Sequence, residues 1–273
     1  MNRKLLVLMF AIAGLQLGSC ATTTNSSVSG VERKQFLMLP ESQVESMSIQ
    51  AYTQTLQEAS KNKKLNTDSA ELQRVRNISN RLIAHTKVFR ADALSWKWEV
   101  NVEESDQVNA YCMPGGKIMV FTGLIDKLKA TDDELAAVIG HEIAHALREH
   151  GRERMSIAAV QQVGVAGLAV LAAGSKSSTA GAGVQAAAMG SQLFFALPNG
   201  REQEREADRM GLELAARAGF NPNAAVTLWQ KMGALNSSAP PEFLSTHPSS
   251  TNRIADLQKL IPSVMPLYQQ ARK

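Results

Sequence analysis

His141-Glu142-Ile143-Ala144-His145 places two imidazoles four residues apart with a carboxylate beside the first. On a helix, residues i and i+4 share a face, so both imidazoles reach one cation. Glu142 is then placed to take a proton from a water polarised by that ion. A catalytic zinc site needs a third protein ligand and one open position. His150 is a poor third ligand: it falls one residue short of the H-E-x-x-H-x-x-G-x-x-H spacing, and Arg148 stands where that pattern has Gly. It also lies about 140° around a continuous helix from His145, so it reads as a helix-end residue. The other solution takes a carboxylate from a later helix. Arg201 to Asp208 carries Glu202, Glu204 and Glu206. Glu204 and Asp208 are four apart, which lets Glu204 ligate while Asp208 orients a ligand imidazole. Residue types alone do not separate Glu204 from Glu202 or Glu206, and charge runs are commonly solvated helix faces.

The elements around these residues have their own signals. Thr131 and Glu134 form a capping box that starts a helix through Leu135, Val138, Ile139 and Ile143 and stops it near Gly151. Asp68 caps an earlier helix with an apolar stripe at Leu72, Val75, Ile78 and Leu82. Trp96 to Val102 alternates apolar and polar, and Gln107–Met113 and Lys117–Thr122 flank Pro114-Gly115-Gly116. These predict an antiparallel sheet of about three strands. Asn199 is the expected cap of the helix carrying Glu204, which ends at Gly219; a last helix follows Ser249 and stops before Pro262. Residues 160–197 are rich in Ala and Gly and read as buried helices around a loop, or as a lid or lipid-contacting element. The fold class is α+β, mainly α-helical, with the metal-binding helix beside a small sheet.

The N-terminus reads as a processed segment. Asn2-Arg3-Lys4 is a basic n-region and Leu5 to Leu15 an apolar h-region too short to span a bilayer. Leu17-Gly18-Ser19-Cys20 resembles the lipobox of bacterial lipoproteins, which implies cleavage before Cys20 and lipidation of its sulfur. Ala21 after that Cys implies, by the sorting rule of enteric lipoproteins, the outer membrane, with the protein on its periplasmic face. The expected layout is a signal peptide over 1–19, a lipidated Cys and flexible tether over 20–40, and one catalytic domain over 41–273. Cys112 then has no partner in the chain and reads as a buried small residue or a spare thiol. The formal charge of +4 loses Arg3 and Lys4 with the signal. So small an excess gives no argument for nucleic acid.

Four segments together resemble the metallopeptidase family of HtpX and the CAAX prenyl proteases. They are H-E-x-x-H; E-x-E-A-D-x-x-G, running from Glu204 to Gly211; Asn109-Ala110 through Pro114-Gly115-Gly116 with Phe121-Thr122-Gly123-Leu124; and His247-Pro248 with Arg253-Ile254. Within that family the chain most resembles the LoiP-like periplasmic lipoprotein branch. The resemblance implies a zincin-type domain holding one zinc ion on His141, His145 and Glu204 (the gluzincin arrangement), with Asp208 behind a ligand imidazole and Glu142 as catalytic base. It also implies a substrate-pairing strand at Asn109, Ala110, Tyr111 and Cys112. His247 is open between three roles: oxyanion donor, fourth zinc ligand holding the site latent, or a loop residue without metal contact. Arg253 is a second oxyanion candidate or a partner of the site acids. The expected function is a zinc-dependent metalloendopeptidase acting on misfolded or stalled envelope proteins, held at the membrane through Cys20 and open to envelope protein partners. The alternative is a non-catalytic chaperone or assembly lipoprotein whose zinc is structural.

Overall fold

The computed structural model describes residues 20–172, 198–235, 242–247 and 252–273. Both the signal peptide and residues 173–197 of the Ala/Gly-rich segment lie outside these. Among the described residues the strands are β1 (Cys20–Ala21), β2 (Gln35–Phe36), β3 (Glu99–Glu103), β4 (Ala110–Met113) and β5 (Lys117–Phe121). The α-helices are α1 (Glu41–Lys61), α2 (Ser69–Ile83), α3 (Thr122–Leu128), α4 (Asp132–Leu147), α5 (His150–Ala172), α6 (Arg201–Arg217), α7 (Ala224–Ala234), α8 (Glu242–Thr246) and α9 (Arg253–Ala271).

The centre of the fold is α4. Its capping box forms, with Thr131 N–H donating to Glu134 Oε2 at 2.9 Å and Glu134 N–H to Thr131 Oγ1 at 3.3 Å. Glu134 also accepts from Thr227 and Lys231, which ties α7 to the start of α4. Leu135, Ile139 and Ile143 are wholly buried. The apolar stripe thus packs inward, and α4 is enclosed by α6, α7, α2 and strand β4.

The sheet has the order β3-β5-β4, and it is mixed, not antiparallel throughout. β4 and β5 form the expected hairpin, closed by Gly116 N–H donating to Met113 O at 3.1 Å. Gly115 and Gly116 have φ of 78° and 79°, which favours glycine, and a Cβ on Gly116 would lie 2.6 Å from the Trp98 ring. β3 joins the other side of β5 in parallel. Side-chain alternation reports which face a residue occupies and says nothing of strand direction, so this pairing is not legible in the sequence. Trp96 and Trp98 stack on each other just before β3 and are not part of it.

Three further expectations differ. Helix α6 is capped by Gly200, not by Asn199. Helix α9 runs through Pro262 and Pro266. These two are four residues apart and exposed, so the backbone carbonyls they strand face water. The segment expected as a flexible tether is packed instead. β1 pairs with β2, Ser29 N–H and Ser27 Oγ both donate to Glu213, and Arg148 donates to Thr22, Thr24 and the Arg33 carbonyl. A Ser/Thr-rich composition lacks apolar groups to bury, but here hydroxyls and backbone satisfy buried charges on the domain.

Candidate active site

His141 and His145 project from one face of α4, and α6 runs across that face. His141 Nε2 and His145 Nε2 lie 3.0 Å apart. Glu204 Oε2 is 3.6 Å from His141 Nε2, and Glu204 Oε1 is 3.3 Å from His145 Nε2. His247, at the end of α8, completes the group: one ligand atom from each of His141, His145, Glu204 and His247 lies within 4.8 Å of the others. All four residues are buried. Glu202 and Glu206, which share the charged stretch, point elsewhere. Glu202 is exposed and pairs with Arg205, and Glu206 accepts from Arg148 and His150.

The other nitrogen of each imidazole is occupied. His141 Nδ1 lies 3.1 Å from Asp208 Oδ1, which fixes that nitrogen as the N–H and leaves Nε2 as a lone pair. His145 Nδ1 lies 2.7 Å from His150 Nδ1, and His150 Nε2 lies 2.9 Å from Glu206 Oε2. Since the Glu206 carboxylate only accepts, His150 donates to it from Nε2 and accepts from His145 at Nδ1. His145 Nε2 is therefore a lone pair as well. His150 is thus more than a helix-end residue. The 140° separation assumes one continuous helix, but α4 ends at Leu147, and Glu149 takes φ 52° before α5 begins. That break swings His150 behind His145.

Two imidazole lone pairs face each other, and Glu204 Oε1 and Glu142 Oε1 are buried without a hydrogen-bond donor. A divalent cation held by His141, His145 and Glu204 would fill the space on which these inward-facing acceptors converge. Burial holds the pKa of His141 well below its ordinary value and lowers that of His145, which keeps both neutral as ligands must be.

Around the cluster, Arg253 donates to Glu204 Oε2 at 2.7 Å and to Asp208 Oδ1 at 2.6 Å, and its guanidinium stacks 3.7 Å over the Trp229 ring. Burial raises the pKa of Asp208 against the opposing charge of Arg253. His247 stacks on Phe243 at 4.2 Å, and its Nδ1 lies 3.1 Å from the Phe243 carbonyl. Its Nε2 lies 3.4 Å from Glu142 Oε1. Burial would depress His247, but the charge and hydrogen bond of Glu142 together with the charge of Glu204 outweigh it and raise the pKa. A cleft opens beside Glu142, His145 and His247, walled by Asn109 to Met113. β4 pairs with β5 on one side and, among the described residues, has its other edge free of any strand. Cys112 is buried in that wall, and burial pushes its thiol well above the ordinary range. Arg148, Arg154 and Asn199 also surround the site and belong to none of these motifs, and Glu206, the second glutamate of the E-x-E-A-D segment, holds His150 and Arg148.

The comparisons with known proteins agree with this geometry. The mitochondrial metalloendopeptidase OMA1 of Arabidopsis thaliana is 39% identical over 174 residues, covering 62% of this chain and 32% of that protein. The metalloendopeptidase OMA1 of Bos taurus is 37% identical over 181 residues, covering 63% and 34%. The beta-barrel assembly-enhancing protease of Escherichia coli is 29% identical over 207 residues, covering 73% and 40%. The chain thus spans well under half the length of these three relatives. A family profile described as Peptidase family M48 matches residues 69–261, a stretch that holds every residue of the histidine–glutamate cluster, and the chain belongs to that family.

Proposed function

We propose that the protein is a zinc-dependent endopeptidase of the bacterial envelope, of the LoiP-like lipoprotein kind, that cleaves misfolded or stalled envelope proteins. The observation that carries the reading is the convergence of His141, His145 and Glu204 beside Glu142, at the free edge of β4. When bound, zinc supplies Lewis acidity toward the scissile carbonyl and lowers the pKa of water. Glu142 Oε1, buried and facing His247, takes the proton of the attacking water and passes it to the leaving amine nitrogen. An extended substrate adds to the edge at Asn109, Ala110, Tyr111 and Cys112, which draws its backbone across the site. Asp208 and the His150–Glu206 pair hold the two imidazoles in register. The lipobox resemblance supports an anchor at Cys20 and an outer-membrane location. Because Cys20 opens a strand paired with β2, such an anchor would hold the domain close to the bilayer. Among the described residues no helix is long and apolar enough to cross a membrane.

The test is metal content and casein cleavage for wild type and Glu142→Gln. Both should hold one zinc, and only the wild type should cut. Equal cleavage by the two proteins would overturn the mechanism.

One observation favours the second reading, a non-catalytic assembly lipoprotein: His247 fits as a fourth protein ligand, and structural zinc sites are closed by four. His247→Ala separates the readings. A latching His247 gives higher casein cleavage on its removal, and an oxyanion donor gives lower cleavage by about 10- to 1000-fold. A structural ligand gives loss of zinc with no proteolysis in either protein.

A further inference from the structure

The cleft beside Glu142 has a second wall, the start of α5. Gly151 and Arg154 lie three residues apart, hence on one helix face, and both line it. Gly151 presents no side chain there and leaves the space to Arg154. The buried arginines Arg90, Arg148 and Arg253 each pair with a carboxylate. Among the described residues Arg154 pairs with none. Its Nη1 donates to Asn199 Oδ1, and its Nε is buried without a partner. Glu142, Glu204 and Glu153 are near enough to act on its charge, yet burial dominates and lowers its pKa to about 10. Glu204 is committed to the histidines and Arg253, Glu153 to Arg33, and Glu142 faces His247, so none of the three pairs with Arg154. Arg154 is half-buried with its Nε enclosed; a guanidinium is a rigid fork that matches a carboxylate with two parallel hydrogen bonds, and one drawn partly out of water without an anion is costly to keep.

We propose that Arg154, steadied by Asn199, is a subsite for a substrate carboxylate, so that peptides are cut preferentially where an acidic side chain lies within about three residues of the scissile bond. The inference rests on the endopeptidase reading and adds a chemical class of substrate to it. A carboxylate reaches the site either as an Asp or Glu side chain or as the C-terminus of a peptide.

The experiment uses the zinc-loaded full chain and peptides cut out of casein, with cleavage positions mapped by mass spectrometry. Matched peptides then carry Glu, Gln or Lys at each position near the cut, with free or amidated C-termini. For wild type, kcat/KM should favour Glu over Gln by about 10- to 100-fold at one position. A preference for free over amidated ends, in place of Glu over Gln, would assign the same subsite to the terminal carboxylate. In Arg154→Gln the ratio should fall to near one, and in Arg154→Glu it should invert toward Lys. Arg154→Lys keeps charge without the fork and should retain only part of the preference; it serves if the Gln variant fails to fold by circular dichroism. Cleavage with no carboxylate preference in the wild type, or a preference that survives in Arg154→Glu, overturns the subsite and leaves the endopeptidase reading standing. No cleavage at all by the zinc-loaded wild type or by His247→Ala overturns the endopeptidase reading itself.

Discussion

Two imidazoles share one cation only when each offers it a lone pair, so the groups on their far nitrogens are as consequential as the ligands. Asp208 performs this for His141, and His150, itself held by Glu206, performs it for His145. Removing His150 leaves Glu206 with Arg148 and Arg33, so its carboxylate stays paired while the His145 N–H loses its acceptor. His150→Ala should therefore keep the fold and weaken zinc binding by about 10- to 100-fold, measured by competition with a chromophoric chelator. Unchanged affinity would show that the contact does not orient His145. The ligand histidines are legible because four-residue spacing on a capped helix is a local pattern. The role of His150 is not, because it depends on a helix break at Glu149 that no residue type announces. Family pattern alone singles out Glu204 from Glu202 and Glu206; the reason lies in which face of α6 packs on α4.

The closeness of that packing is set by two glycines. Gly140 and Gly211 face each other where α4 and α6 cross, and a Cβ on Gly211 would lie 2.7 Å from the His141 nitrogen and 2.8 Å from its Cα. These are backbone atoms of a buried helix and cannot swing aside as a side chain would. Gly211 lies seven residues from Glu204, two turns along the same face. An added methyl must therefore push apart the helices that carry the two histidines and the glutamate. Gly211→Ala should cost ~1–3 kcal/mol through overpacking. It should also lower zinc affinity by more than the fall in stability explains, as seen by chelator competition at a temperature where both proteins are folded. A variant that loses stability but binds zinc as tightly as wild type would show that the close approach serves packing alone. A capping box and an apolar stripe reveal α4 in the sequence, and for α6 the sequence marks the end at Gly219 while its cap is Gly200 and not Asn199. Their crossing does not appear there, because a glycine within a helix is locally only a weakness, and its use is a contact with a residue 70 positions away.

Across the whole molecule, the N-terminal segment and the domain share one buried ionic cluster. Arg33 bridges Glu153 and Glu206, Arg148 bridges Glu206 to Thr22, Thr24 and the Arg33 carbonyl, and Gln35 donates to the Arg148 carbonyl. The composition of the segment conceals this, since Ser and Thr read as linker and the partners lie more than 100 residues away. Arg148 has no exposed surface, so Arg148→Met strands Thr22, Thr24 and the Arg33 carbonyl and weakens the hold on Glu206. The cost is ~3 kcal/mol, a fall in Tm of roughly 6–12 °C. The same cluster sets a pH dependence. Burial lowers His150 to about 3, so its contribution is full above the unfolded value near 6.5 and is lost as pH falls toward 3. Burial would raise Glu206, but hydrogen bonds from His150 and Arg33 and the charge of Arg148 bring it to about 2; its contribution is full above pH 4.5 and drains toward 2. Acid therefore dismantles from one side what Arg148→Met dismantles from the other. The Tm difference between wild type and variant should be largest near pH 7 and shrink steadily down to pH 3. A difference that stays constant over that range would mean that Arg148 stabilises the chain independently of Glu206 and His150, and that the segment is fastened by packing and not by this cluster.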